Sequence, residues 1–189
     1  MTAALITPPS SEPVSLAEAK AHLRLDGDAE DDLVETLVVA ARRHVELETR
    51  RVLVEQGWRI YFDRWSADGC LSLPVAPLLS LDAVTLYDRE GGPSSLDLSA
   101  FDVDTVSVPP RAALRTGLAV MAPGRPLNGI ELDVTAGYGA AADVPAPLRQ
   151  AILMLVAHWF EHREAVGDGL SLVPLGVAAL LAPYRIHRL

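Results

Sequence analysis

Cysteine is almost missing from this chain: Cys70 stands alone among 189 residues. One thiol excludes an intrachain disulfide framework and any metal site built from cysteines, and a reducing interior is the simplest setting for it. Long hydrophobic runs are missing as well. Half of the residues are hydrophobic, yet no apolar stretch approaches the roughly 20 residues that a membrane-spanning helix requires. Positive charge is scarce. Lys20 is the only lysine, and the formal net charge of −9 argues against a protein that grips nucleic acid by neutralising phosphates. The other cations are arginines, which together with the abundance of alanine reads as coding bias rather than chemistry. The N-terminus, Met1 to Pro9, has no basic residue ahead of an apolar segment, so no signal peptide is expected.

What is present is organised around the stretch from Asp143 to Val166. Asp143 stands before the first turn, with Pro145 and Pro147 where missing N–H groups cost nothing. Leu148, Ile152, Leu155 and Trp159 then recur at helical spacing, and no polar residue interrupts Ala151 to Ala157. Such a helix needs cover from more than one side, by its own domain, a neighbouring subunit or both. Gly167 supplies a stop.

Upstream, residues to Pro13 read as a loose arm. Ser15-Leu16-Ala17-Glu18 is a capping box that opens a helix to about Arg24, broken by Asp26-Gly27-Asp28. A longer helix follows, capped by Asp28 or a neighbour, with acids Glu30, Asp31 and Asp32 at its start and Arg50 and Arg51 at its end, as its dipole favours. From Val52 to Tyr138 the pattern turns to short alternating segments: Trp58, Ile60 and Phe62, then Leu71 to Leu73, Ala83 to Tyr87, Phe101 to Val103, Ala112 to Arg115 and Ile130 to Thr135. A turn at Asp88 to Pro93 separates two of them. After Gly167 a short helix is expected from Leu175 to Leu181, closed by Pro183. The order predicts an α+β fold. Residues 1–51 and 139–183 would form a helical core, and 52–138 an inserted antiparallel β module, a small sandwich or open barrel. Leu23, Leu33, Leu37, Ile152, Leu155 and Trp159 are the expected meeting points of that core.

Four patterns could carry chemistry. His158-Trp159-Phe160-Glu161-His162 matches H-x-x-E-H: two histidines on one helix face could bind zinc, with Glu161 to activate water. The third ligand is wanting, because only Glu164 and Asp168 remain downstream and Glu164 lies too near on the same helix. Two histidines at the polar end of a core helix is the plainer reading. Gly137-Tyr138-Gly139-Ala140-Ala141-Ala142 mimics a dinucleotide fingerprint, but Asp143 to Pro147 intervenes before the helix, so its N–H groups cannot cradle a pyrophosphate. The acids at Asp26, Asp28, Glu30, Asp31 and Asp32 lack calcium-loop spacing, since Leu37 occupies the twelfth position; capping explains them better. The pairs Arg42-Arg43 and Arg50-Arg51 read as a solvated helix face or a subunit contact. No catalytic residue, no metal ligand and no cofactor follow from these patterns.

Pro13-Val14-Ser15-Leu16-Ala17-Glu18-Ala19-Lys20-Ala21-His22-Leu23-Arg24, followed by an acidic turn and a long helix, resembles the opening of head–tail connector (adaptor) proteins of long-tailed phages. Ala136 to Gly139, Val144 to Leu153 and Ala157-His158-Trp159 are similar to the long form of that family, found also in prophages and gene transfer agents. The resemblance implies a structural ring, commonly dodecameric, beneath the portal at the capsid vertex of a virion or gene transfer agent particle assembled in a bacterial cytoplasm. It implies as partners further copies of the chain, the portal and the next tail-side connector or stopper, with DNA passing through without sequence-specific binding and no membrane involved. The C-terminal segment of the family typically docks onto the portal, which here points to residues 184–189, with Tyr184, Ile186 and Leu189 as apolar anchors and Arg185 and Arg188 for carboxylates. Leu33, Leu37, Ile152, Leu155 and Trp159 would serve core or subunit packing. A zinc hydrolase built on His158, Glu161 and His162, and a stand-alone binding module using the β segment, are the alternatives.

Overall fold

A computed structural model describes residues 1–115, 122–162 and 174–186. The fold is α+β, with four α-helices and two antiparallel sheets among the described residues. The chain divides into two compact units, one of Met1–Ser10 with Glu55–Tyr138 and one of Ser11–Val54 with Gly139–Leu189.

The first unit holds all the strands found among the described residues. Its larger sheet has the order β1-β2-β8-β4-β5, formed by Thr2–Thr7, Gln56–Phe62, Ile130–Ala136, Leu78–Tyr87 and Pro93–Leu96. The smaller sheet, β3-β7-β6, comprises Cys70–Ser72, Arg111–Leu114 and Phe101–Asp104. The alternation of β2 works as expected at Ile60 and Phe62, which are buried with Val84, Leu86, Ile130, Leu132 and Val134. On the opposite face the register sets Arg59 against Asp133 and Tyr61 against Glu131. The N-terminal arm is a correction. Thr2–Thr7 is not loose but pairs antiparallel with β2, Ala3 opposite Ile60 and Leu5 opposite Trp58. Thr-Ala-Ala-Leu-Ile-Thr has no clean alternation because an edge strand packs little of either face; the unpaired N–H and C=O groups of β2 recruit it.

The second unit is helical: α1 (Leu16–Leu23), α2 (Asp31–Thr49), α3 (Ala146–Glu161) and α4 (Leu175–Leu181). The capping box forms in full. Ser15 Oγ accepts from the Glu18 N–H at 3.2 Å, and Glu18 Oε2 accepts from the Ser15 N–H at 2.9 Å. Arg24 and Arg50, both left-handed at φ 57°, close α1 and α2. The helices bury Ala19, Val34, Val38, Ala41, Val45, Leu148, Ala151, Ile152, Leu155, Val156, Val177 and Leu181. The buried face of α2 lies one residue past the expected one: Val34 and Val38 are buried, whereas Leu33 and Leu37 sit half-buried on its flank. Small and β-branched side chains let helices approach closely, and the bulkier leucines fill the rims. Asp143 does not cap α3, whose N-cap is Pro145; its carboxylate accepts from the Ala140 N–H at 2.9 Å and closes the turn before it.

Candidate functional site

The zinc-like motif sits at the C-terminal end of α3. The rings of His158 and His162 lie 4.6 Å apart, and His162 Nδ1 is 2.9 Å from the His158 carbonyl oxygen. That contact belongs to the helix end, where His162 is the C-cap and its own N–H also donates to the His158 carbonyl. Glu161 is exposed. Among the described residues no third histidine, cysteine or carboxylate joins them in a group that could hold a metal. Glu164 and Asp168 lie outside the described residues.

The glycine pattern is a turn. Gly137 and Gly139 take φ of 135° and 114°, a region closed to most side chains, and a Cβ on Gly139 would come within 2.9 Å of Asp143 Oδ2. Its residues serve the chain's own backbone, not a phosphate. The acidic stretch at the start of α2 contributes Asp31 to an ion pair with Lys20 at 2.5 Å. Asp26, Asp28 and Asp32 stay exposed.

The C-terminal segment does not leave the helical unit where the sequence suggests. Ala182–Tyr184 forms one more turn after α4. Arg51 Nε then donates to the Tyr184 carbonyl at 2.8 Å, Arg185 Nη2 meets Glu48 Oε2 at 2.7 Å, and the Ile186 N–H donates to the Thr49 carbonyl at 3.1 Å. The last carbonyls of a helix lack intrahelical donors, and the returning chain supplies one. Tyr184, Arg185 and Ile186 are each half-buried. Arg188 and Leu189 lie outside the described residues. Of the five residues expected to pack, Ile152 and Leu155 are fully buried and come together in the helical unit. Leu33, Leu37 and Trp159 are half-buried, and Trp159 meets His44 edge to face at 5.8 Å.

One polar network escaped the sequence reading. On the outward face of the large sheet Arg59 holds Asp133 through two hydrogen bonds of 2.7 and 2.8 Å and lies 3.2 Å from Glu131. The hydrogen bonds to Asp133 raise the pKa of the Arg59 guanidinium. Glu131, only 7% exposed, also accepts from the Tyr87 hydroxyl at 2.9 Å, which pushes the phenol pKa up. The alternation of Arg59 with Tyr61 and of Glu131 with Asp133 was the available signal; their pairing depends on strand register. The network ties three neighbouring strands together.

Similarity to known proteins fits an architecture of packing surfaces. Residues 13–90, which include α1, α2 and strands β2 to β4, match a family described as phage gp6-like head-tail connector protein. No curated protein sequence matches the chain significantly. Among solved structures, the chain is similar to a protein in the neck of an empty gene transfer agent particle computed with C6 symmetry (TM-score 0.86, 27% identity), with 100% of this chain and 97% of that one covered. A protein in the virion of a native gene transfer agent particle gives 0.85 and 28% over the same shares. One from the neck of a native particle computed with C12 symmetry gives 0.81 and 27%, again over 100% and 97%. The chain is a head–tail connector protein, a structural component of the head–tail interface. The matching family and the similar structures are particle components, and nothing in them supports the zinc-hydrolase alternative.

Proposed function

We propose that this connector works as one subunit of a closed ring of twelve copies in the neck of a phage-like or gene transfer agent particle, below the portal and above the next tail-side connector or stopper. The observation that carries this reading is likeness over the whole chain to proteins of particle necks computed with C6 and C12 symmetry. The helical unit is the core of the connector, and the sheet unit, Glu55–Tyr138 together with the strand-forming Met1–Ser10, is its inserted module. The chain end docks onto the portal: Tyr184 to Ile186 are tethered to the end of α2, so the docking tip is residues 187–189, including Arg188 and Leu189. The net charge of −9 suits a channel that DNA traverses without sticking, since phosphates are not attracted to it. The protein acts without catalysis or a cofactor.

Deletion of the gene tests the reading by electron microscopy. DNA-filled heads without tails, restored to tailed particles by a plasmid copy, are the expected result. Normal tailed particles from the deletion strain would overturn it.

A further inference from the structure

One face of α2 has no partner among the described residues. Val34, Val38, Ala41 and Val45 turn inward. The residues on the opposite side, spaced three or four apart, are Asp32, Thr36, Val39, Arg43, Leu47 and Arg50, and all are exposed. Leu47 is 79% and Val39 38% exposed. A lone surface leucine is ordinary, but here two aliphatic residues share a stripe with two arginines that have no ion-pair or hydrogen-bond partner among the described residues. Their neighbours show the contrast: Arg42 is held by Glu12 at 2.6 Å and Glu46 at 2.7 Å, and Arg51 by the Tyr184 carbonyl. At the other end of the same helix, Asp26, Asp28 and Asp32 are exposed, whereas Asp31 pairs with Lys20. From Asp32 to Arg50 the helix rises about 27 Å at 1.5 Å per residue. The two charged ends therefore cannot neutralise each other within one copy.

We propose that the exposed face of α2 is a contact between copies, the basic and apolar end at Arg43, Leu47 and Arg50 of one copy lying against the acidic turn at Asp26, Asp28 and Asp32 of the next. The occupant is a second copy of this chain, and the inference rests on the ring reading above. Closed rings need heterologous contacts, in which two different patches of the same subunit meet. An acidic and a basic patch at opposite ends of one rigid helix are such a pair, and opposite charges fix the direction in which copies follow one another. Leu47 supplies the apolar anchor, flanked by charges that exclude a shifted register.

Cysteine cross-linking in assembled particles tests the contact. In a Cys70→Ser background, Leu47→Cys combined with Asp32→Cys should give a disulfide ladder that runs beyond dimers on a non-reducing gel. Necks that contain the chain without cross-links, or with dimers only, would overturn the head-to-tail contact while leaving the ring reading intact. Charge exchange gives a second arm. Arg43→Glu with Arg50→Glu should keep the far-ultraviolet circular dichroism of the unmodified chain yet lower its incorporation into particles at least tenfold. Adding Asp28→Arg and Asp32→Arg to that variant should restore incorporation. Undiminished incorporation of the first variant, or no recovery in the second, counts against the proposal. Absence of the unmodified chain from necks would remove the ring reading and this inference with it.

Discussion

Truncating Leu155 to alanine probes the centre of the helical unit. Leu155 is fully buried on α3, with Leu148, Ile152 and Val156 buried on the same helix. Leu155→Ala removes three carbons, a transfer loss of about 2.4 kcal/mol at roughly 0.8 kcal/mol each. The cavity left behind raises the cost to about 3–4 kcal/mol, because close-packed neighbours relax only in part. At about 2–4 °C per kcal/mol for a chain of this size, the melting temperature should fall by at least about 6 °C. Circular dichroism at 222 nm is the suitable probe, since the four described α-helices belong to one unit and the two units need not melt together. Leu33→Ala is the internal comparison: half-buried on the flank of α2, it should cost about half as much. A shift below about 2 °C for Leu155→Ala, or an equal loss for both variants, would refute the inward face drawn above.

Ser15→Ala removes the α1 cap and should cost about 1 kcal/mol, measured by urea unfolding. The Ser15 backbone and side-chain hydrogen bonds hold Glu18 below its ordinary pKa, so its share of stability is present above the usual glutamate range and is lost as pH falls through the lowered folded value. Glu18→Gln should flatten that part of the acid limb, and an unchanged limb would show that the box carries no pH-dependent stability. Arg59→Ala leaves the largely buried Glu131 without its cation and should lower stability by about 1–2 kcal/mol, discounted because Arg59 itself is one-third exposed; Arg59→Lys should recover only part of it, since two hydrogen bonds to Asp133 need the planar fork. Ending the chain after Ile186 should leave the unfolding midpoint unchanged but abolish portal binding in a pull-down. Ending it after Pro183 should also cost about 1–3 kcal/mol, because the Thr49 carbonyl and the Arg51 guanidinium lose their partners. Equal stability of the two truncations would mean that the tether contributes nothing.

Local order settled much of this protein in advance. The capping box at Ser15 to Glu18, the short helix Leu175–Leu181 and the alternation of Ile60 and Phe62 are written in residues close together in the chain, and their physics needs no distant partner. The resemblance to connectors was equally legible, since it rests on linear segments. Tertiary structure decided what depends on residues far apart. Thr2–Thr7 became a strand only because β2 offered it a hydrogen-bonding edge. The inward face of α2 moved from Leu33 and Leu37 to Val34 and Val38, because periodicity gives the spacing of an apolar stripe and only the packed neighbours give its phase. Tyr184 to Ile186 were held rather than released, because the free carbonyl at the end of α2, well over a hundred residues earlier in the chain, was waiting for a donor.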